Sequence, residues 1–221
     1  MVQGISGVGG GFIVVPLLAM ISVKFLPGPL VVASISISGL MAWRERTYID
    51  YRNTRFMLLG TVAGAILGAW LVSGVAPDRL GLVFGSLILV GVLITGLGVH
   101  LPLNRLSATV AGAGAGAMGA ASGIGAPVLA VLYQRETGPR VRATLAYIYT
   151  VASVFIATAL ALFGRLTLDE IGYAMLLVPG FMLGYFMSQR VTKHFDQSAT
   201  RYIVLGVSAT AALSLIYRSI F

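Results

Sequence analysis

Four stretches of this chain run the depth of a bilayer's interior without a charged residue: Phe56 to Ala76, Leu80 to Val99, Leu106 to Tyr133 and Ala143 to Phe163. About 20 apolar residues in a helix cross roughly 30 Å of hydrocarbon. Hydrocarbon offers the backbone no water, so a crossing run must satisfy its own N–H and C=O groups as a helix. Shorter apolar runs lie at Phe12 to Val23, Pro29 to Trp43, Ile171 to Met187 and Tyr202 to Tyr217. The last two reach spanning length if Arg190, Arg201 and Arg218 snorkel toward the headgroups. The fold class read from this pattern is all-α, a polytopic helical bundle in a membrane. Composition argues against a soluble domain. Only 10% of the 221 residues are charged and 57% are hydrophobic, where a soluble domain carries about 25% charged residues.

The formal charge of +8 comes from 15 Lys and Arg residues. They sit between apolar runs, where membrane topology accounts for them, so no nucleic-acid partner is expected. The chain has no cysteine, and His100 and His194 lie near segment ends. No metal site and no cofactor are expected. The first residues do not read as a signal peptide, because they lack a basic start and glycines interrupt the run.

The chain repeats itself. Ser6-Gly7-Val8-Gly9-Gly10-Gly11 precedes an apolar run, and Ser122-Gly123-Ile124-Gly125-Ala126-Pro127 precedes another. Ala33-Ser34-Ile35 echoes Ala143-Thr144-Leu145, and Ile49-Asp50 echoes Leu168-Asp169. Gly60 and Gly64 echo Gly180 and Gly184, and Pro77-Asp78-Arg79 falls where Ala199-Thr200-Arg201 falls. The ordered series divides the chain into a first transmembrane repeat, 1–104, and a second, 105–221. The first repeat has only Met1 to Ile5 ahead of its glycine motif. The second has about 15 apolar residues there, so the expectation is that the given start omits the first repeat's entering half-helix or that the repeat has none.

Charge sets the orientation of the halves. If every segment crosses, the basic residues divide seven against eight, which ignores the positive-inside rule. If the two glycine-broken segments dip in and return, eleven stand on one side, and Lys24, Arg79, Arg165 and Arg218 on the other. Each half then has three full crossings and the halves are inverted. Inverted repeats with broken segments at matching positions are a transporter pattern.

With these motifs in view, the chain resembles the sulfite exporter TauE/SafE family. The resemblance is carried by Gln3-Gly4-Ile5-Ser6-Gly7-Val8-Gly9-Gly10-Gly11 with Pro16, by Ala42-Trp43-Arg44-Glu45-Arg46 with Asp50, and by Tyr133-Gln134 with Arg142-Ala143-Thr144-Leu145. It implies a multi-pass protein of the inner cell membrane that exports or imports sulfite, sulfonates or related small anions. One departure is that Ala126-Pro127 stands where the first motif has Gly10-Gly11.

The glycine breaks are the candidate substrate site. Unwound backbone survives in a membrane only inside protein or beside a water-filled cavity. Successive free N–H groups form an anion-binding nest, and a helix restarting after the break adds its positive end. The candidate residues are Ser6, Gly7, Gly9, Gly10 and Gly11 in the first break, and Ser122, Gly123, Gly125 and Ala126 in the second. For Gly60, Gly64 and Gly68, and for Gly112 to Gly116, close helix packing is the expected role. Tyr147 and Thr150, with Ser153, step along one helix face and either line a cavity or bond between helices. Ser34, Ser36 and Ser38 alternate, so no single helix face collects them. Gln134 and Arg142 flank the exit from the second break. Arg142 either draws anions in or serves topology, and the Arg44–Arg55 block serves topology alone.

No Asp, Glu or His lies well inside an apolar segment, so no dedicated proton-coupling residue is visible. A potential of about 100 mV, negative inside, favours exit of a monoanion by about 2.3 kcal/mol. That sustains a concentration ratio of roughly fifty. A non-enzymatic exporter working by alternating access is the reading. A membrane assembly protein and a membrane-embedded enzyme are the alternatives, the latter opposed by the missing paired carboxylates and metal-ligand spacing. The sequence admits a homodimer.

Overall fold

A computed structural model describes residues 10–76, 79–97, 102–133, 138–191 and 197–220. Each apolar run named above contains helix among the described residues, and the run from Leu106 to Tyr133 is interrupted after Ser122. The order is α1 (Gly10–Ile21), α2 (Gly28–Arg44), α3 (Tyr51–Ser73), α4 (Leu80–Gly96), α5 (Arg105–Ser122), α6 (Ala126–Ala130), α7 (Pro139–Leu162), α8 (Leu168–Val191) and α9 (Gln197–Ile220). Short 3-10 turns at Val23–Phe25, Arg46–Tyr48 and Val131–Tyr133 join them. No strand occurs among the described residues.

The boundaries have local causes. Asn104 caps α5 by accepting the Ser107 N–H at 2.9 Å, which satisfies one of the helix's orphan donors. Pro139 opens α7, where a missing N–H costs nothing. Glu170 reaches back to accept the Thr167 N–H at 2.8 Å ahead of α8, one arm of a capping box.

The tightest pairing is α3 on α5. A Cβ added at Gly60, Gly64 or Gly68 would meet the backbone of Thr109, Ala113 or Ala117, and one at Gly112 or Gly116 would meet Met57, Thr61 or Ala65. The two helices touch backbone to backbone, as small residues permit in a membrane. They run in the same direction, since low numbers meet low numbers.

Around this pair, α2 packs on α7 and α8, α3 on α7, α4 on α9, α1 on α9 and α6 on α4. Helices α2 and α7 are antiparallel, for Ser34 meets Ser153 and Thr150 lies beside Gly39, further along α2. Helices α4 and α9 are antiparallel too: Gly81 faces Ser219 and Gly85 faces Ala212 and Ile216. Three buried clusters fill the bundle. One gathers Val15, Phe84, Ile88 and Leu160, another Met57, Leu129, Tyr133 and Ile148, and the third Ile37, Met41 and Tyr185.

Outside, the bundle presents Leu59, Leu67, Trp70, Leu93, Leu106 and Leu162. Three stretches, Thr54–Ser73, Pro139–Leu162 and Leu168–Met187, are long and apolar enough to cross a membrane, and Leu80–Gly96 and Leu205–Tyr217 are shorter apolar helices. An apolar exterior on this scale needs hydrocarbon around it.

The two ends of the bundle differ. At one end, Arg142 grips Glu45 through Nε and Nη2 at 2.6–2.9 Å, Arg140 meets Asp50 at 2.7 Å, and the Asp50 N–H donates to Thr144 Oγ1 at 2.9 Å. At the other end, the Arg165 guanidinium caps the carbonyls of Ser73 and Val75 at 2.8–2.9 Å. There Leu166 and the Arg165 carbonyl lie against Gly28.

Candidate functional site

The second glycine motif reverses the chain. Helix α5 ends at Ser122, and Gly123 follows at φ 78°, a left-handed conformation that glycine adopts without strain. The Gly123 N–H bonds back to the Gly119 carbonyl at 2.8 Å. Helix α6 then returns along α5: Gly125 lies against the Ala115 carbonyl and Val128 against Gly114. No side chain could occupy position 125 without displacing that backbone.

The reversal is level with Leu30 on α2 and Ile156 on α7. One turn inward from each, Ser34 Oγ and Ser153 Oγ lie 3.2 Å apart. Ser34 donates to the Val31 carbonyl at 2.7 Å. Tyr149, one turn from Ser153 on the same face of α7, donates its hydroxyl to the Ala126 carbonyl at 3.4 Å. Thr150 donates to the Ala146 carbonyl at 2.8 Å. A group of hydroxyls therefore sits near the middle of α2 and α7, joined by Tyr149 to the start of α6.

Two of these hydroxyls, Ser34 and Thr150, bond carbonyls three or four residues back in their own helices. Such bonds are local and replaceable, so an arriving acceptor can recruit a hydroxyl without orphaning a buried group. The Ser122 hydroxyl is more committed. It is fully buried, donates to Met118 O at 2.8 Å and accepts the Ile124 N–H at 3.4 Å.

The remaining candidates scatter. Ser6, Gly7, Gly9 and Gln134 lie outside the described residues, and Gly10 and Gly11 form the first turn of α1. Tyr147 stacks edge-on against Tyr51, with ring centroids 5.5 Å apart. Arg142 is held by Glu45 at the ion-paired end, away from the reversal. Of the serines that alternate along α2, Ser34 alone reaches α7, while Ser36 and Ser38 bond within α2. Sequence reasoning passed over Tyr149. Its four-residue spacing from Ser153 is the signal that would have found it.

The helices, their apolar exterior and the buried core define a multi-pass helical membrane protein. The family model for the sulfite exporter TauE/SafE matches residues 1–215. The chain belongs to that family, whose members are membrane transporters of the sulfite-exporter type. No curated protein and no solved structure matches it.

Proposed function

We propose that this chain carries sulfite or an organosulfonate across the inner cell membrane, outward, by alternating access between two inverted halves, residues 1–104 and 105–221. The observation that carries the reading is the family match over residues 1–215. The helix pairing supports the halves. Ile49-Asp50 and Leu168-Asp169 are 119 residues apart, and so are Ser34 and Ser153, which touch. Equivalent residues meet only on a two-fold axis. With α2 and α7 antiparallel, that axis runs in the membrane plane, as inverted repeats require. On this equivalence Ser34 matches Ser153, and the echo of Ala33-Ser34 in Ala143-Thr144 gives way. Exchanging the halves turns the contact of α2 with α8 into that of α3 with α7, and the contact of α1 with α9 into that of α4 with α6.

The substrate site proposed is the pair of glycine breaks together with Ser34, Ser153, Tyr149 and Thr150. A sulfite or sulfonate headgroup offers three acceptor oxygens. Neutral hydroxyls and backbone N–H groups can bind it without the desolvation cost of a buried Lys or Arg, and weakly enough to release it. Arg142, already paired, guards the approach and does not hold the substrate.

The test is sulfite efflux from liposomes containing the purified protein. Gly125→Leu is a poor probe, because it would collide with Ala115 backbone. Ser153→Ala and Tyr149→Phe are better. Each removes one hydroxyl, worth about 1 kcal/mol, so half-saturation should rise about fivefold. Folded protein that moves neither sulfite nor a sulfonate overturns the reading.

A further inference from the structure

The arginines at the ion-paired end are not all treated alike. Arg140 and Arg142 each hold a carboxylate. Arg55 and Arg105 do not: among the described residues neither forms an ion pair. They come from different helices, Arg55 from early in α3 and Arg105 from the first residue of α5. Both guanidinium groups lie over one ring, with their central carbons 4.9 Å (Arg55) and 5.4 Å (Arg105) from the Phe56 centroid. That ring is seated by partial burial against the cluster of Met57 and Leu129, while both arginines are exposed. At Trp43, by contrast, the described residues bring one guanidinium, that of Arg46 at 5.9 Å. A ring face attracts a cation, yet two cations on one ring repel each other. The gathering of basic residues at one membrane face explains why both arginines are at this end. It does not require two of them, from different helices, to converge.

We propose that Arg55 and Arg105 together bind the phosphate of an anionic phospholipid. A phosphate between them replaces their repulsion with two charge-assisted contacts, and the planar guanidinium fork suits phosphate oxygens. The lipid source follows from depth. Beside and below the arginines, α3 and α5 turn Leu59, Leu106 and Val110 outward. A phosphate held at this height leaves its acyl chains against an apolar wall. Basic groups between helices at a membrane face select headgroups with net negative charge. A zwitterionic lipid also carries a phosphate, but its own ammonium group competes for it. The bound lipid would tie α3 to α5 at their starts, above the glycine seam that joins them further down.

The test is native mass spectrometry of the purified protein in a neutral detergent, titrated with phosphatidylglycerol or with phosphatidylcholine of the same chains. Phosphatidylglycerol should bind at least about tenfold more tightly. Arg55→Gln and Arg105→Gln should each weaken it by about fivefold, the factor for one basic residue at an anionic surface. Arg46→Gln removes the same charge from the same end and should leave the affinity unchanged. All three positions are exposed, and circular dichroism checks that each variant keeps its helix. Equal weakening by all three substitutions means diffuse surface charge and overturns the seat. So does phosphatidylglycerol binding that is indifferent to Arg55 and Arg105, or no stronger than that of phosphatidylcholine. Inorganic phosphate that displaces the lipid at equal concentration overturns the lipid assignment in favour of a soluble anion.

Discussion

Gly64 on α3 and Gly180 on α8 have opposite surroundings. A side chain at Gly64 would strike the backbone of Ala113, while one at Gly180 meets open space. Overpacking a close contact costs about 1–3 kcal/mol, and open surface positions tolerate change within about 0.5 kcal/mol. Gly64→Leu should therefore lower the unfolding free energy in detergent by at least about 1 kcal/mol. Gly180→Leu should leave it unchanged, and equal losses would contradict the packing described. The packing role of these α3 glycines was legible in the sequence, because four-residue spacing of small residues has one dominant use in membranes. The hydroxyl group around Ser34 and Ser153 was not. Those residues are 119 apart, and period alone cannot say which face of α2 meets which face of α7.

Among elements, the connection between α2 and α3 is tied to the start of α7 by charge. Glu45 and Asp50 on that connection hold Arg142 and Arg140 at the start of α7. Exposed or partly exposed pairs contribute about 0.2–1 kcal/mol each, too little to hold the fold but enough to bias two similar states. On the proposed alternating access, opening the bundle at this end breaks both. Glu45→Ala combined with Asp50→Ala should raise the labelling rate of a thiol at Ser34, approached from the arginine-rich side, by about fivefold, the factor expected for ~1 kcal/mol. An unchanged rate would remove these pairs from the opening step. From the sequence Arg142 read as either an anion-drawing or a topological charge, and its pairing with Glu45 was not legible. The partners of Arg140 and Arg142 lie 90 and 97 residues away, a distance that sequence spacing does not bridge. The reversal at Gly123 was legible, because clustered glycines before Pro127 leave a helix no continuous path.

For the whole molecule, the ends of each crossing helix make a checkable map. The Arg46–Tyr48 turn and the start of α7 at Pro139 share the ion-paired end, and the α7–α8 connection at Gly164 lies at the other. Single cysteines at Thr47 and Gly138 should label from the cytoplasmic side, and one at Gly164 from outside, following the excess of basic residues at the first end. Voltage belongs to this scale as well. If the carried species is a monoanion, imposing about 100 mV, negative inside, should support an outward gradient of roughly fifty. Efflux insensitive to potential would require a coupling ion.

The unequal ends give the resting protein a chemical polarity of its own. Salt weakens the Arg140–Asp50 and Arg142–Glu45 pairs, whose side chains keep 67%/17% and 31%/19% of their surface in solvent, over a screening length of about 10 Å at 0.1 M. The other end is held by the Arg165 guanidinium on the Ser73 and Val75 carbonyls and by the contact of Leu166 with Gly28, with no ion pair there among the described residues. Raising ionic strength in one compartment alone should shift which way the empty carrier faces, and raising it in the other should not. With substrate placed on one side at a time, a vesicle with unequal salt across its wall would then show different initial influx and efflux rates at the same substrate concentration, an asymmetry written into the loops rather than the binding site.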